Sequence, residues 1–313
     1  MLSSELQAQL DKLCRGGLRH NAPLAPFTTF RIGGPAEHLA IFHDLSNLTT
    51  ALNLLHKAQI PFLLLGGGSN VLISDAGIPG LTIINQCKAI HWPEHSKHNC
   101  VFTVEAGAPL AGLARASIGR GLAGLSWAVS IPGTVGGAIV GNAGAHGHDI
   151  SEVLRSVQVW NAGQIEEWPA SQLEFAYRSS KLKRLPPGQA RILLAATLEL
   201  EQDEDGRAEE LARQAIQHRR RTQPTARSAG SIFKNPPGDY AGRLIEQAGL
   251  KGYCLGDACI SAKHANFIIN RGHATAAEVK ALIDLAQNEV RRQFGIELEL
   301  EILLLGDWRN TEH

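Results

Sequence analysis

Ile131-Pro-Gly-Thr-Val-Gly-Gly-Ala-Ile-Val-Gly-Asn-Ala-Gly-Ala-His-Gly147 places six glycines in one stretch that contains no Asp, Glu, Lys or Arg. Glycine lets backbone N–H groups approach a ligand closely and permits φ > 0. Successive exposed N–H groups form a concavity suited to phosphate. A solvent loop would carry Ser, Asp and Lys instead. The stretch therefore implies an extended anionic ligand held by backbone.

A second glycine loop lies about sixty residues earlier. Pro61-Phe-Leu-Leu-Leu65 reads as a short buried strand running into Gly66-Gly-Gly-Ser-Asn70. Ahead of it, Glu37–His43 reads as a strand and Ser46–Lys57 as a helix, with Leu48, Leu52 and Leu55 at helical spacing. The three form a β-α-β unit whose loop sits at the carboxyl end of its second strand, where such sheets bind ligands.

Leu81–Asn85 and Val101–Glu105 read as further strands, and Leu110–Gly119 as a helix. Strand patterns resume at Val153–Trp160 and Ile192–Glu201, and a polar shift at Gln202-Asp-Glu-Asp-Gly206 marks a boundary. Beyond it Glu209–Arg221 is an amphipathic helix. Thr275-Ala-Ala-Glu278 is a capping box that opens a helix to Phe294, with Gly295 as its C-cap, and Ile296–Leu305 reads as the closing strand. The class is α+β, divided at 1–85, 86–205 and 206–313.

A chain of 313 residues exceeds a single core. Zero formal net charge argues against a general nucleic-acid binder. The polar start Met1–Leu10 lacks the apolar core of a signal peptide, and no apolar run is long enough to cross a bilayer. Five scattered cysteines, an odd count without a CxxC, fit reduced cytoplasmic thiols better than a disulfide framework. These features point to a cytoplasmic globular enzyme with no membrane insertion, and nothing in them implies an obligate protein partner.

Gly119-Arg-Gly-Leu-Ala-Gly124 has the spacing of a dinucleotide fingerprint, but a helical pattern precedes it where a strand is required. No P-loop motif occurs. His91, His95 and His98 resemble a metal cluster but fall in or beside a hydrophilic turn, so no metal is expected. His218-Arg-Arg-Arg221 reads equally as a diphosphate site or a solvated helix end. Two glycine loops that are neither Rossmann nor P-loop imply a dinucleotide held from two places.

Leu65-Gly-Gly-Gly-Ser-Asn-Val-Leu-Ile73 with Ile131-Pro-Gly-Thr-Val-Gly-Gly-Ala138 resembles the FAD-binding domain of the vanillyl-alcohol-oxidase type. Further blocks are Thr28–Gly34, Phe175-Ala-Tyr-Arg-Ser-Ser180, Ala229-Gly-Ser-Ile-Phe-Lys-Asn-Pro236, Tyr240–Gly252, Ser261-Ala-Lys-His-Ala-Asn-Phe267 and Leu298-Glu-Leu-Glu-Ile302. In that order they are similar to the UDP-N-acetylenolpyruvoylglucosamine reductases (UDP-N-acetylmuramate dehydrogenases). The chain goes from Arg178 to the strand at Ile192 without an insertion, so it resembles the shorter subtype, which lacks a tyrosine-bearing clamp.

The resemblance implies FAD as cofactor, NADPH as co-substrate and a small UDP-linked enolpyruvyl sugar as substrate. It places the FAD cradle at Gly66, Gly67, Gly68, Ser69, Asn70, Pro132, Gly133, Thr134, Gly136, Gly137, Asn142, Ala143 and Gly144, with a C-terminal α+β substrate domain. Hydride addition to the β-carbon leaves negative charge on the α-carbon and carboxylate, which needs a cation, an acid and a proton source. The matching residues are Arg178 for the carboxylate, Ser231 as proton donor, and Glu301, protonated or hydrogen-bonded through burial. By residue type alone these read as a surface arginine, a turn serine and one of three outward carboxylates with Glu297 and Glu299. Tyr177, Lys234, Asn235, His264 and Asn266 are substrate-binding candidates, and Tyr177 reads equally as a core aromatic. Gly141 and His146 replace bulkier residues expected in the second glycine segment.

Overall fold

The computed structural model describes residues 2–93, 99–186 and 191–308. Side chains alternate across a strand, so apolar residues at every second position give one buried face. Cys100, Phe102 and Val104 on strand Asn99–Glu105 are such a set. They stand opposite Leu200, Leu198 and Ala196 of strand Ile192–Glu201. These strands centre a five-stranded antiparallel sheet in the order Gln164–Pro169, Leu154–Asn161, Ile192–Glu201, Asn99–Glu105, Ile90–His91. A four-stranded sheet runs Arg19–Pro23, Pro35–Phe42, Ile78–Asn85, Phe62–Leu65.

The chain divides into two units. The first comprises Met1–Arg19, Leu39–Gly67 and Thr82–His218; the second comprises His20–His38, Gly68–Leu81 and Arg219–His313. In the first, Leu113, Leu125, Trp127, Val135 and Ile139 pack with Phe102 and Leu198 in one core. Helix Leu45–Lys57 buries Leu48, Ala51, Leu52 and Leu55, as its spacing predicts.

In the second unit, helix Ala276–Phe294 buries Val279, Leu282, Ile283, Ala286 and Val290 against a core that includes Phe30, Leu72 and Phe233. Its capping box between Thr275 and Glu278 and its left-handed Gly295 terminus are those read from the sequence. A three-stranded antiparallel sheet runs Cys254–Leu255, Ala258–Ile260, Ile268–Asn270. No helix among the described residues is long and apolar enough to cross a membrane.

Several expectations are corrected. The closing strand is confined to Leu303–Leu305, parallel to Val71–Ile73. Upstream, Leu300 forms an isolated antiparallel bridge with Phe233, so the chain changes partner at Glu301–Ile302 and regular pairing lapses. Strand Gln164–Pro169, absent from the sequence reading, is an edge strand with only Trp168 buried, and so carries little hydrophobic pattern. Val135–Gly141 is helical despite its glycines, capped by Thr134 at the start and by left-handed Asn142 at the end. Burial of Val135, Ala138 and Ile139 outweighs the poor helix propensity. Cys254 and Cys259 face each other across a hairpin, Cα to Cα 4.1 Å, and form a disulfide, contrary to five reduced thiols. Cys14, Cys87 and Cys100 are free and buried.

Candidate functional site

The first unit carries most of the cradle residues. A Cβ added to Gly66 would lie 2.4 Å from Thr134 Oγ1, and one on Gly67 would lie 3.0 Å from Gly133 Cα. Gly67 meets the other loop backbone to backbone, and Gly66 meets the Thr134 side chain, so a side chain at either position would crowd the contact. Gly136 packs equally tightly, 2.9 Å from Ala106 Cβ by the same measure. Gly137 and Gly141 differ. At Gly141 nothing lies within 4 Å, and at Gly137 the nearest atom is Thr134 Oγ1 at 3.5 Å. Those two glycines leave a face open to a ligand.

Asn142, which follows in a left-handed conformation (φ 44°), is buried. Its Nδ2 donates to Asp149 Oδ2 at 3.2 Å and to Ala176 O at 3.3 Å. Its Oδ1 is a buried acceptor that no described residue satisfies. An unmet buried acceptor costs about 1–3 kcal/mol, and a flavin ring carries an N–H that would meet it. The open glycine faces and this acceptor fit the expected FAD. Ala143 is fixed by N–H donation to Ala138 O at 2.8 Å, and Gly144 pairs with Asp149. His146 lies edge-on to His218, ring centres 5.2 Å apart. Burial, reinforced by His218 and His148, holds His146 below the usual histidine range.

Arg178 reaches the same segment. Ala176 and Ser179 exchange both backbone hydrogen bonds, closing a two-residue turn over Tyr177 and Arg178, with Arg178 at φ 54°. Arg178 Nη1 donates to Asn142 O at 3.5 Å, and its guanidinium carbon lies 5.5 Å from the centre of the Tyr177 ring. Tyr177 is 57 % exposed, so it is no core aromatic. Ser180 Oγ, fully buried, ties the end of the turn to Val140 O at 2.7 Å.

The second unit gathers the remaining candidates around one backbone segment, 231–234. Ser231 bridges Phe267 on one side. Ile232 N donates to Asn266 O at 2.9 Å, while Ile232 O accepts from Glu301 N at 2.8 Å. Lys234 N donates to Glu299 O at 2.8 Å, and Lys234 Nζ pairs with the Glu299 carboxylate. Glu297 pairs with Arg291. Of the three alternating carboxylates Glu301 alone is half-buried, the others being exposed, a distinction the sequence pattern could not make.

Asn70 Nδ2 donates to Glu301 O at 2.9 Å, and Gly68 O accepts from Thr29 N at 3.1 Å. Asn235 Oδ1 accepts the Ala241 N–H at 3.1 Å, at the start of helix Ala241–Gln247. His264 Nδ1 accepts from Asn266 N at 3.2 Å. Burial is the main cause holding His264 below the usual histidine range.

Two features escaped the sequence reading. Ser261 Oγ accepts the N–H groups of Lys263 (3.1 Å) and His264 (3.4 Å) and shapes their loop; the signal was a serine opening a turn. Asp75, whose carboxylate accepts the N–H groups of Ala276 and Ala277, carried no signal. His91 lies on strand Ile90–His91, whereas His95 and His98 lie outside the described residues. Among the described residues no group of three or more His, Cys, Asp or Glu could hold a metal ion. Gly119–Gly124 follows helix Leu110–Ile118 rather than a strand.

Residues 36–165 match the FAD binding domain family, and residues 223–305 match the C-terminal domain of UDP-N-acetylenolpyruvoylglucosamine reductase. UDP-N-acetylenolpyruvoylglucosamine reductase 2 of Symbiobacterium thermophilum is 42% identical over 293 residues, covering 93% of each chain. The reductase of Bacillus pumilus is 39% identical, covering 96% of this chain and 97% of that relative. The crystal structure of the Thermus caldophilus reductase superposes with a TM-score of 0.76 at 34% identity, covering 92% of this chain and 99% of that one. With two matched domains and relatives spanning almost its whole length, the chain belongs to the UDP-N-acetylenolpyruvoylglucosamine reductase family.

Proposed function

We propose that this protein uses NADPH and bound FAD to reduce the enolpyruvyl ether of UDP-N-acetylglucosamine to UDP-N-acetylmuramate, a step of peptidoglycan precursor synthesis. The observation that carries this reading is correspondence along nearly the full length with reductases named for that substrate. FAD, when bound, supplies hydride transfer between nicotinamide and the β-carbon of the enolpyruvyl group. The open faces at Gly137 and Gly141 and the unmet Asn142 acceptor support its place beside the second glycine segment. Gly66 to Asn70 and Pro132 to Thr134 complete that cradle, with Ala143 and Gly144 at its end.

Charge that develops on the substrate α-carbon and carboxylate is met by the Arg178 guanidinium, a permanent planar cation. Ser231 Oγ gives its proton to the α-carbon. A hydroxyl is a weak acid and can act only on a strongly basic acceptor in fixed geometry. Glu301 polarises the same group. Tyr177, Lys234, Asn235 and His264 bind the substrate.

The functional divisions are 1–85 and 86–205 for FAD and 206–313 for the substrate. The protein acts in the cytoplasm on a small molecule and needs no protein partner, nucleic acid or membrane insertion.

The test is NADPH oxidation dependent on the UDP-linked enolpyruvyl sugar, with the two half-reactions followed separately at the flavin absorbance. Ser231→Ala keeps NADPH-driven flavin reduction and loses about 10²–10⁴-fold in reoxidation by substrate. Arg178→Ala and Glu301→Ala impair the second half-reaction likewise. Turnover with oxygen that ignores the sugar would favour another FAD oxidase of the same fold, and a colourless protein would favour a non-catalytic nucleotide-binding protein.

A further inference from the structure

Asn266 is 3% exposed, and both ends of its amide are engaged on one residue. Its Oδ1 accepts the Phe233 N–H at 2.9 Å, and its Nδ2 donates to Phe233 O at 2.8 Å. Its own carbonyl takes the Ile232 N–H, and the next residue, Phe267, bridges Ser231. Three consecutive residues, 231 to 233, are thus held from the 266–267 side. On the N-terminal side of Ser231 stands Gly230, at φ 79° with nothing within 4 Å of its Cβ position. That glycine permits the turn and its open Cβ position adds no contact; Ala229 before it is buried in the core, and the clamp holds the other side of the serine.

We infer that Asn266 is a positioning residue for proton delivery: it fixes the backbone that carries Ser231 and makes no contact with the substrate. The inference rests on the role proposed for Ser231. A side-chain amide bonded to both polar groups of one peptide residue mimics a strand neighbour, and it holds that residue in position and in orientation. With Ile232 and Phe233 themselves buried (1% and 2% exposed), the segment is anchored by packing and registered by the amide. Asn266 also joins this segment to His264, whose Nδ1 accepts the Asn266 N–H. Misplacement of a reacting group by about 1 Å can cost ~10²-fold in rate.

The experiment compares holoenzymes carrying Asn266→Ala, Asn266→Asp, Ser231→Ala and Ser231→Ala/Asn266→Ala, each followed through both half-reactions. Binding of the substrate is read separately from the flavin spectrum. Asn266→Ala is expected to keep flavin reduction by NADPH within about twofold, keep substrate affinity within a few-fold, and slow reoxidation by substrate ~10²-fold. Asn266→Asp retains the acceptor but not the donor, so it should fall between wild type and Asn266→Ala; it also serves if the alanine variant does not fold. If Asn266 acts through Ser231, the double variant is no slower than Ser231→Ala alone. Multiplying effects, a loss confined to substrate affinity, or parallel loss of both half-reactions each overturns the inference. Full activity of Ser231→Ala instead overturns the role of the serine itself.

Discussion

Glu301 donates its backbone N–H to the carbonyl of Ile232 at 2.8 Å, so a proposed acid and the neighbour of a proposed proton donor share one backbone bond. That contact belongs to the main chain and survives truncation of the side chain to alanine. Glu301→Ala should therefore alter melting by less than about 1 kcal/mol, in the range of substitutions away from the core. Substrate-dependent reoxidation of the flavin should fall by at least ~10²-fold. Thermal melts and stopped-flow traces on one preparation check both. A large loss of stability with normal reoxidation would give Glu301 a structural role only.

Gly67→Ala tests the meeting of the glycine loops. The added methyl would stand 3.0 Å from Gly133 Cα, too close for two backbones that cannot slide apart without disturbing Thr134. Overpacking of this kind costs about 1–3 kcal/mol. The variant should lose flavin content and stability together. Gly141→Ala, with nothing within 4 Å of the new methyl, should keep its melting temperature, and any loss of flavin there reports the ligand face directly.

Elements with a local code were legible in the sequence. The helix Ala276–Phe294 announced itself through Thr275, Glu278 and Gly295, and helix Leu45–Lys57 through its leucine spacing. The glycine loops were found, but not what Gly66 and Gly67 meet: their neighbours, Thr134 and Gly133, are distant in sequence. Asn266 shows the same limit. The motif it sits in made it a substrate-binding candidate, and its two bonds to Phe233 reach across 33 positions that no periodicity records. Cys254 and Cys259 pair because a hairpin puts them in register, which cysteine counting cannot show.

Asp75 caps a helix 201 residues away. Its Oδ1 accepts the Ala276 N–H and its Oδ2 the Ala277 N–H, both at 2.9 Å, beside the capping box of the same helix. A carboxylate there satisfies two donors that a helix start leaves open and complements the helix dipole. Asp75→Ala should cost about 1–2 kcal/mol in chemical denaturation. Asp75→Asn can supply only one acceptor oxygen and should lie between. Wild-type stability in the alanine variant would show that Thr275 and Glu278 suffice.

Acid should weaken the loop that carries His264. Burial, with Lys251 adding to it, keeps the folded imidazole below the usual range against the opposing effects of a backbone hydrogen bond and of Glu246. Its Nδ1 must stay unprotonated to accept the Asn266 N–H. In the unfolded chain the same group titrates at about 6.5. Between that value and the lower folded value the unfolded state binds more protons, so stability rises with pH across the window. The contribution is complete above the unfolded pKa and is lost as pH falls toward the folded one. Thermal melts of wild type and His264→Gln between about pH 5 and 8 should therefore differ in slope, the wild type losing stability faster on the acid side. Because His264 holds Asn266, substrate-dependent reoxidation should fall as pH drops through the lower folded value, where the folded imidazole takes its proton, while NADPH-driven reduction holds. Parallel melting slopes in the two proteins would remove His264 from both effects.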